Sequence, residues 1–294
     1  MLVLDSTMAP KSALATEPQP LVMIDQMQPQ QRDNAKAGLS DTERKELLRV
    51  SKENSRVTGA AGSLFNAAKR DAEQGKLDEA LSKYSELAQS SPNFAGAYSN
   101  RGNVYVALKK YEEAVADYTR ALELAPLASD SYVVLVNRGS VYAELNDFKR
   151  ASADFSAALE LRPDESLVYV NRATLLARQQ KWTSALNDYQ RAVEKKPNDV
   201  EPFWLDYAMV LYQINKPGEA LGVVKRVAAK YGTVDDVNAA LSVMYYDKND
   251  LPDAEGAWGA VARPRLFTSK AFLEGRHWTP RMLETLARFQ KLTP

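Results

Sequence analysis

The 294-residue chain balances 38 basic side chains against 38 acidic ones, so no global field steers it toward nucleic acid or an anionic membrane. It has no cysteine, which excludes disulfides and cysteine–zinc sites but leaves the redox compartment open. No run of about 18 apolar residues occurs, so no stretch is long and apolar enough for a membrane-spanning helix.

Residues 1–39 are rich in Pro, Gln, Ala and Met and lack a periodic apolar stripe. Such a composition rarely buries enough surface to offset its ordering entropy, so the segment reads as a flexible tail. Ala13-Leu14-Ala15 has the small-x-small form of a processing site, which makes a targeting remnant the second reading. The apolar run Leu21, Val22, Met23, Ile24 between Pro18 and Pro29 suits an internal ligand. In that case deleting residues 1–39 strengthens binding of any groove ligand. Residues 40–60 follow as an N-terminal capping helix and linker. Ser40 and Glu43 have capping-box spacing, and Leu47, Leu48 and Val50 give a thin apolar face expected to cover the first repeat. Gly59-Ala60-Ala61-Gly62 reads as linker rather than phosphate cradle, because no strand precedes it.

Residues 61–268 then repeat one pattern at a spacing of about 34 residues. The copies run 61–94, 95–128, 132–165, 166–199, 201–234 and 235–268. Gly102, Tyr105, Ala114, Tyr118, Ala121 and Pro126 define the offsets. Gly139, Tyr142, Ala151, Phe155, Ala158 and Pro163 repeat them, as do Ala173, Leu176, Ala185, Tyr189, Ala192 and Pro197. The first copy keeps Leu64, Ala68, Ala80, Tyr84, Leu87 and Pro92. The fifth keeps Trp204, Ala208, Leu211, Ala220 and Val227, and the sixth Tyr245, Ala254 and Trp258. Extra residues near 128–131 and 200 fall between copies, where insertions cost little. Residues 269–294 read as a C-terminal capping helix. Thr279-Pro280 is a helix start, since proline at the first helical position loses no needed donor. Met282, Leu283, Leu286 and Phe289 make one stripe expected to close the last repeat.

This pattern resembles the tetratricopeptide repeat (TPR) family across residues 61–268. It implies an all-α, right-handed superhelical solenoid of about six helix pairs with N- and C-terminal capping helices. Small residues let the two helices of a pair approach, and proline ends the second. A solenoid offers a continuous concave surface that binds other chains. In the family the first helix of each pair lines the groove. Carried over, that places Asn100, Asn103, Asn137, Ser140, Asn171 and Thr174 on the groove floor. Asparagine donates and accepts at once and so can grip an extended backbone. A plain role in the repeat consensus is the alternative. Val133, Val136, Leu167, Val170, Leu205, Met209 and Tyr212 supply apolar contacts in the same reading.

A second pattern concerns charge. Arg101, Arg138 and Arg172 share one offset, and Asp117, Asp154 and Asp188 share another. The first, fifth and sixth copies lack both residue types at these offsets. Residues that appear and vanish together point to structural Arg–carboxylate pairs, which the planar guanidinium suits. Arginines aimed at an acidic ligand would leave the aspartates unexplained. The lone His277 lacks a partner motif for chemistry, and no phosphate loop, nucleophile elbow or metal-spaced cluster occurs. The chain therefore reads as non-catalytic, with no cofactor or metal.

The partners expected are other proteins, held as a peptide segment or helix in the groove. No nucleic acid is expected, because backbone binding needs a basic face. Membrane association, if any, runs through a partner. TPR domains that bind chaperone tails clamp a carboxylate with lysines, an arginine and asparagines. Asn103 and Asn137 match that clamp, but Ser99, Leu167 and Asn171 stand where the cations are needed. The tail from Trp278-Thr279-Pro280 to Phe289 resembles the ends of TPR proteins from plant and algal chloroplasts. The resemblance implies a scaffold or assembly factor linked to thylakoids and photosynthetic complexes. A cytosolic co-chaperone and a regulatory subunit of an enzyme complex are the alternatives.

Overall fold

The computed structural model describes residues 40–292, and every regular element among them is helical. The expectations for residues 1–39 (tail, processing site and internal ligand) lie outside the described residues. The described residues divide into two compact units, the first ending at Pro163 and the second beginning at Asp164.

The first unit opens with α1 (Asp41–Asn54). Ser40 caps it. The Glu43 amide donates to Ser40 Oγ at 3.3 Å, and the Ser40 amide donates to Glu43 Oε2 at 2.7 Å, which satisfies two orphan donors reciprocally. Three helix pairs follow: α2 (Gly59–Glu73) with α3 (Leu77–Ser90), α4 (Ala95–Ala107) with α5 (Tyr111–Leu124), and α6 (Ser131–Glu144) with α7 (Phe148–Leu161). Two expectations are corrected here. Residues 59–62 are not a linker but the first turn of α2, whose opening Gly59 takes φ 61°. Nor does α1 cover the first pair. Its end docks on α5 of the second, where Asn54 Nδ2 donates to the Leu124 carbonyl at 2.7 Å and the Leu127 amide donates to Ser51 Oγ at 3.1 Å. The apolar face of α1 is too thin to outweigh these polar anchors.

Within each pair the repeated small and aromatic residues form the contact. Ala80, Ala114 and Ala151 are fully buried, beside Tyr84, Tyr118 and Phe155. A Cβ at Gly102 would meet the Tyr118 ring at 2.8 Å, and one at Gly139 would meet the Phe155 ring at 2.9 Å. At these positions glycine serves close approach rather than turn geometry.

The second unit holds α8 (Ser166–Arg178) with α9 (Trp182–Lys195), α10 (Trp204–Gln213) with α11 (Pro217–Tyr231), and α12 (Asp235–Asp247) with α13 (Leu251–Gly259). After a 3₁₀ turn at Pro264–Thr268 come α14 (Lys270–Glu274) and α15 (Pro280–Phe289). The expected single capping helix over 269–294 is thus two short helices. α15 does not simply close the last pair. It lies across α10 and α12, the leading helices of two successive pairs, and reaches α13 through Phe289 against Trp258 at 5.7 Å. The stripe is wider than Met282, Leu286 and Phe289, because Thr285 is fully buried with them.

Every pair turns through three residues, and the middle one is left-handed: Gly75, Lys109, Asn146, Gln180, Asn215 and Asn249. The next amide then closes the leading helix, as Lys110 does on the Tyr105 carbonyl at 2.9 Å and Lys216 on the Leu211 carbonyl at 3.0 Å. This is the left-handed helix stop that glycine favours.

Candidate protein-interaction faces

The recurring arginines and aspartates of the repeats are spent inside them. Arg101 grips Asp117 with Nε at 2.7 Å and Nη2 at 2.9 Å. Arg138 grips Asp154 at 2.8 and 2.9 Å, and Arg172 grips Asp188 at 2.7 and 2.8 Å. Each pair joins the leading and trailing helices of one repeat. In the first unit the remaining nitrogen reaches back to the previous repeat, to Ser85 Oγ at 3.2 Å from Arg101 and to Thr119 Oγ1 at 2.9 Å from Arg138. The first copy solves the same problem with Lys83 bonded to Asp71. Burial pushes the Asp117 carboxyl above its usual range against the pull of Arg101. Burial also opposes the Arg101 charge, which Asp117 more than restores. The two shifts point opposite ways for one contact. The two-pronged geometry argues that both groups are charged and that the pair nets little stability, while loss of one partner is costly.

In the first unit the asparagines form a ladder across leading helices. Asn103 Oδ1 accepts from the Tyr118 hydroxyl at 2.7 Å and from Asn137 Nδ2 at 3.0 Å. Those two donors fix the amide, so its NH2 faces away from them. Asn100 donates to the Gly96 carbonyl at 2.9 Å. Asn100, Asn103 and Val133 are half-buried, whereas Val136, Asn137 and Ser140 are buried. The leading-helix face therefore leaves the first three partly exposed and keeps the others beneath them as support. Asn100 and Ser99 also line a depression of about 190 Å³ with Ser55, Phe94, Ser131 and Val134.

In the second unit Thr174 takes the asparagine's place, its Oγ1 3.1 Å from the Tyr189 hydroxyl. Leu167, Thr174 and Leu205 are half-buried, and Val170 and Asn171 are buried. Asn171 Nδ2 has no partner among the described residues. The expectation that Met209 and Tyr212 offer apolar contact to a partner is corrected. Both are buried, and the Tyr212 hydroxyl lies 3.1 Å from Thr285 Oγ1 of α15. Burial pushes the Tyr212 hydroxyl up to about 12. His277 is exposed at φ 62°, with Nδ1 3.5 Å from Asp206 Oδ1. Together with Thr174, Asp206, Trp278 and Thr279 it borders a cavity of about 300 Å³. Among the described residues no helix is long and apolar enough to cross a membrane.

Sequence reasoning missed the left-handed turn residues, although Gly75 in the first copy marks their offset. It also missed Arg281. This arginine donates to the Tyr212 carbonyl at 3.1 Å and to Asn215 Oδ1 at 2.8 Å, and it pairs with Asp247 at 3.2 Å. Nothing in the pattern singles out that residue.

Comparison with known proteins agrees with this architecture. Family models described as tetratricopeptide repeat match residues 95–126 and 136–200, and one described as TPR repeat matches residues 68–109. Over 148 residues the chain is 31% identical to the mitochondrial import receptor subunit TOM70 of Rattus norvegicus, covering 49% of this chain. It spans only 19% of that relative's length. Among solved structures, Pseudomonas aeruginosa PilF superposes with a TM-score of 0.62 at 16% identity, covering 76% of this chain and 97% of that one. YrrB, described as a TPR protein with an unusual peptide-binding site, superposes with a TM-score of 0.51 at 23% identity, covering 66% and 96%. At these identities the two structures speak for the fold alone. Helix pairs with this spacing, contact chemistry and family match make the chain a tetratricopeptide repeat protein, a fold that serves protein–protein interaction.

Proposed function

We propose that the chain is a non-catalytic adaptor or assembly factor that holds a partner segment against its leading-helix face. The observation that carries this reading is the pinned amide of Asn103. Its oxygen is saturated by Tyr118 and Asn137, so its NH2 is oriented for a partner's backbone carbonyl. Asn100 and the adjoining depression extend the same face. Support also comes from the repeats themselves, whose recurring arginines and aspartates are taken up in pairs that join their own helices. As a setting we propose the plastid, on the likeness of Trp278 through Phe289 to chloroplast TPR proteins; a fluorescent fusion in the source cell tests it.

The test of the adaptor reading is affinity capture from the native source with mass spectrometry. The wild type is compared with an Asn100→Ala, Asn103→Asp variant. Aspartate keeps the acceptor for Tyr118 and Asn137 and removes the donors, so the fold is spared. A protein captured by the wild type and lost from the variant is the expected result. Equal capture by both would reject this face.

A further inference from the structure

We infer that α15 is a displaceable ligand of its own chain: the leading-helix face of α10 and α12 is a receptor for an amphipathic helix, filled in cis by α15 and accessible in trans to a partner helix of the same pattern. The inference deepens the adaptor reading by naming the kind of partner the fifth and sixth repeats accept.

The seat has the form of helix-in-groove recognition. Met282, Leu286 and Phe289 stand at i, i+4 and i+7, and all three are fully buried. Phe289 enters between the rings of Tyr246 at 5.5 Å and Trp258 at 5.7 Å. Polar contacts set the register. The Arg281 amide donates to Gln213 Oε1 at 2.9 Å, and its guanidinium lies over the Tyr212 ring while holding the end of α10 and Asp247. A competing helix therefore carries an arginine directly before the first of three apolar residues at that spacing.

The seat is also imperfect, as a removable segment's should be. Where the chain enters α15, the cavity of about 300 Å³ stays open between Trp278, Thr279, Pro280 and Leu283 on one side and Thr174, Tyr189 and Val210 on the other. Trp278 and Thr279 are 4% and 3% exposed, yet Trp278 Nε1 and Thr279 Oγ1 have no hydrogen-bond partner among the described residues. Buried donors left unpaired weaken the docked state. The link before them, residues 275–277, is exposed, and side-chain pairs tie it to the body, Arg276 to the buried Asp236 of α12 and His277 to Asp206, so detachment of α15 can proceed with the link held in place.

The test uses full-length protein and a fluorescein-labelled peptide of residues 279–292. Leu286→Asp in the full chain expels its own α15 and leaves α10 and α12 intact. The variant is expected to bind the peptide at least about tenfold more tightly than the wild type, and a peptide carrying Leu286→Asp should not compete. Equal binding to wild type and variant, or binding to neither, would overturn the inference. Should Leu286→Asp fail to fold, the milder Arg281→Ala decides. Tighter peptide binding than wild type supports a detachable helix, and unchanged binding makes α15 a permanent part of the core. The readout needs no natural partner, so it stands or falls separately from the Asn103 capture.

Discussion

Arg138 is 1% exposed, and its Nε and Nη2 are given to Asp154. Desolvating both charges costs about what their attraction returns, so the pair as a whole nets little while a lone survivor is expensive. Arg138→Met should therefore lose about 3–5 kcal/mol in urea unfolding, and adding Asp154→Leu should recover most of it. A double mutant as unstable as the single would refute this. Glycines divide by the same logic of neighbours. Gly139→Ala drives a Cβ into the buried Phe155 ring and should cost about 1–3 kcal/mol. Gly222→Ala in α11 meets nothing within 4 Å and should gain about 0.5–1 kcal/mol of helix stability. Thermal melts of both variants check the opposite signs. The arginine–aspartate pairing was legible in the sequence because both residues recur at one offset. The hydroxyl ladder through Tyr118 and Asn103 was not, because it depends on side-chain direction rather than residue type.

Helix pairs were legible for the same reason as the pairings. Small residues must face aromatics wherever two helices approach, so Gly102 with Tyr118 and Gly139 with Phe155 wrote the period into the chain. The ends follow no period. α1 and α15 each occur once, and their apolar stripes show that they dock but not on what. Asn54 and Arg281 choose the docking place through polar contacts that no pattern announces. The turns offer a prediction at this scale. Lys109 is exposed and left-handed at φ 57°, a conformation costing about 1 kcal/mol or more for a side chain with Cβ. Lys109→Gly should raise the melting temperature by a few degrees; a lowered one would mean that the lysine side chain contributes to the turn.

For the molecule as a whole, acid is the informative perturbation. The amide of Ala262 and then Arg263 hold the Asp235 carboxyl below its usual range, and Lys230 does the same for Asp199. A depressed folded pKa contributes stability above the unfolded pKa, near about 4, and loses it as pH falls through the folded value. The buried Asp117 carboxyl is raised and works in the opposite sense. The urea midpoint should be level near neutrality and fall below about pH 4, and Asp235→Asn should flatten that fall. An unchanged slope in the variant would locate the acid sensitivity elsewhere. The formal charge of zero leaves no strong long-range field, so partner choice rests on contacts rather than steering.

The three-residue turn is constant inside every pair, whereas the connections between pairs vary, as residues 125–130 and 196–203 show. The chain is thus punctuated like a text with fixed words and elastic spaces. An epitope tag or a reporter grafted after the exposed Ser129 would be read as a longer space. The same graft beside Lys109 would break a word.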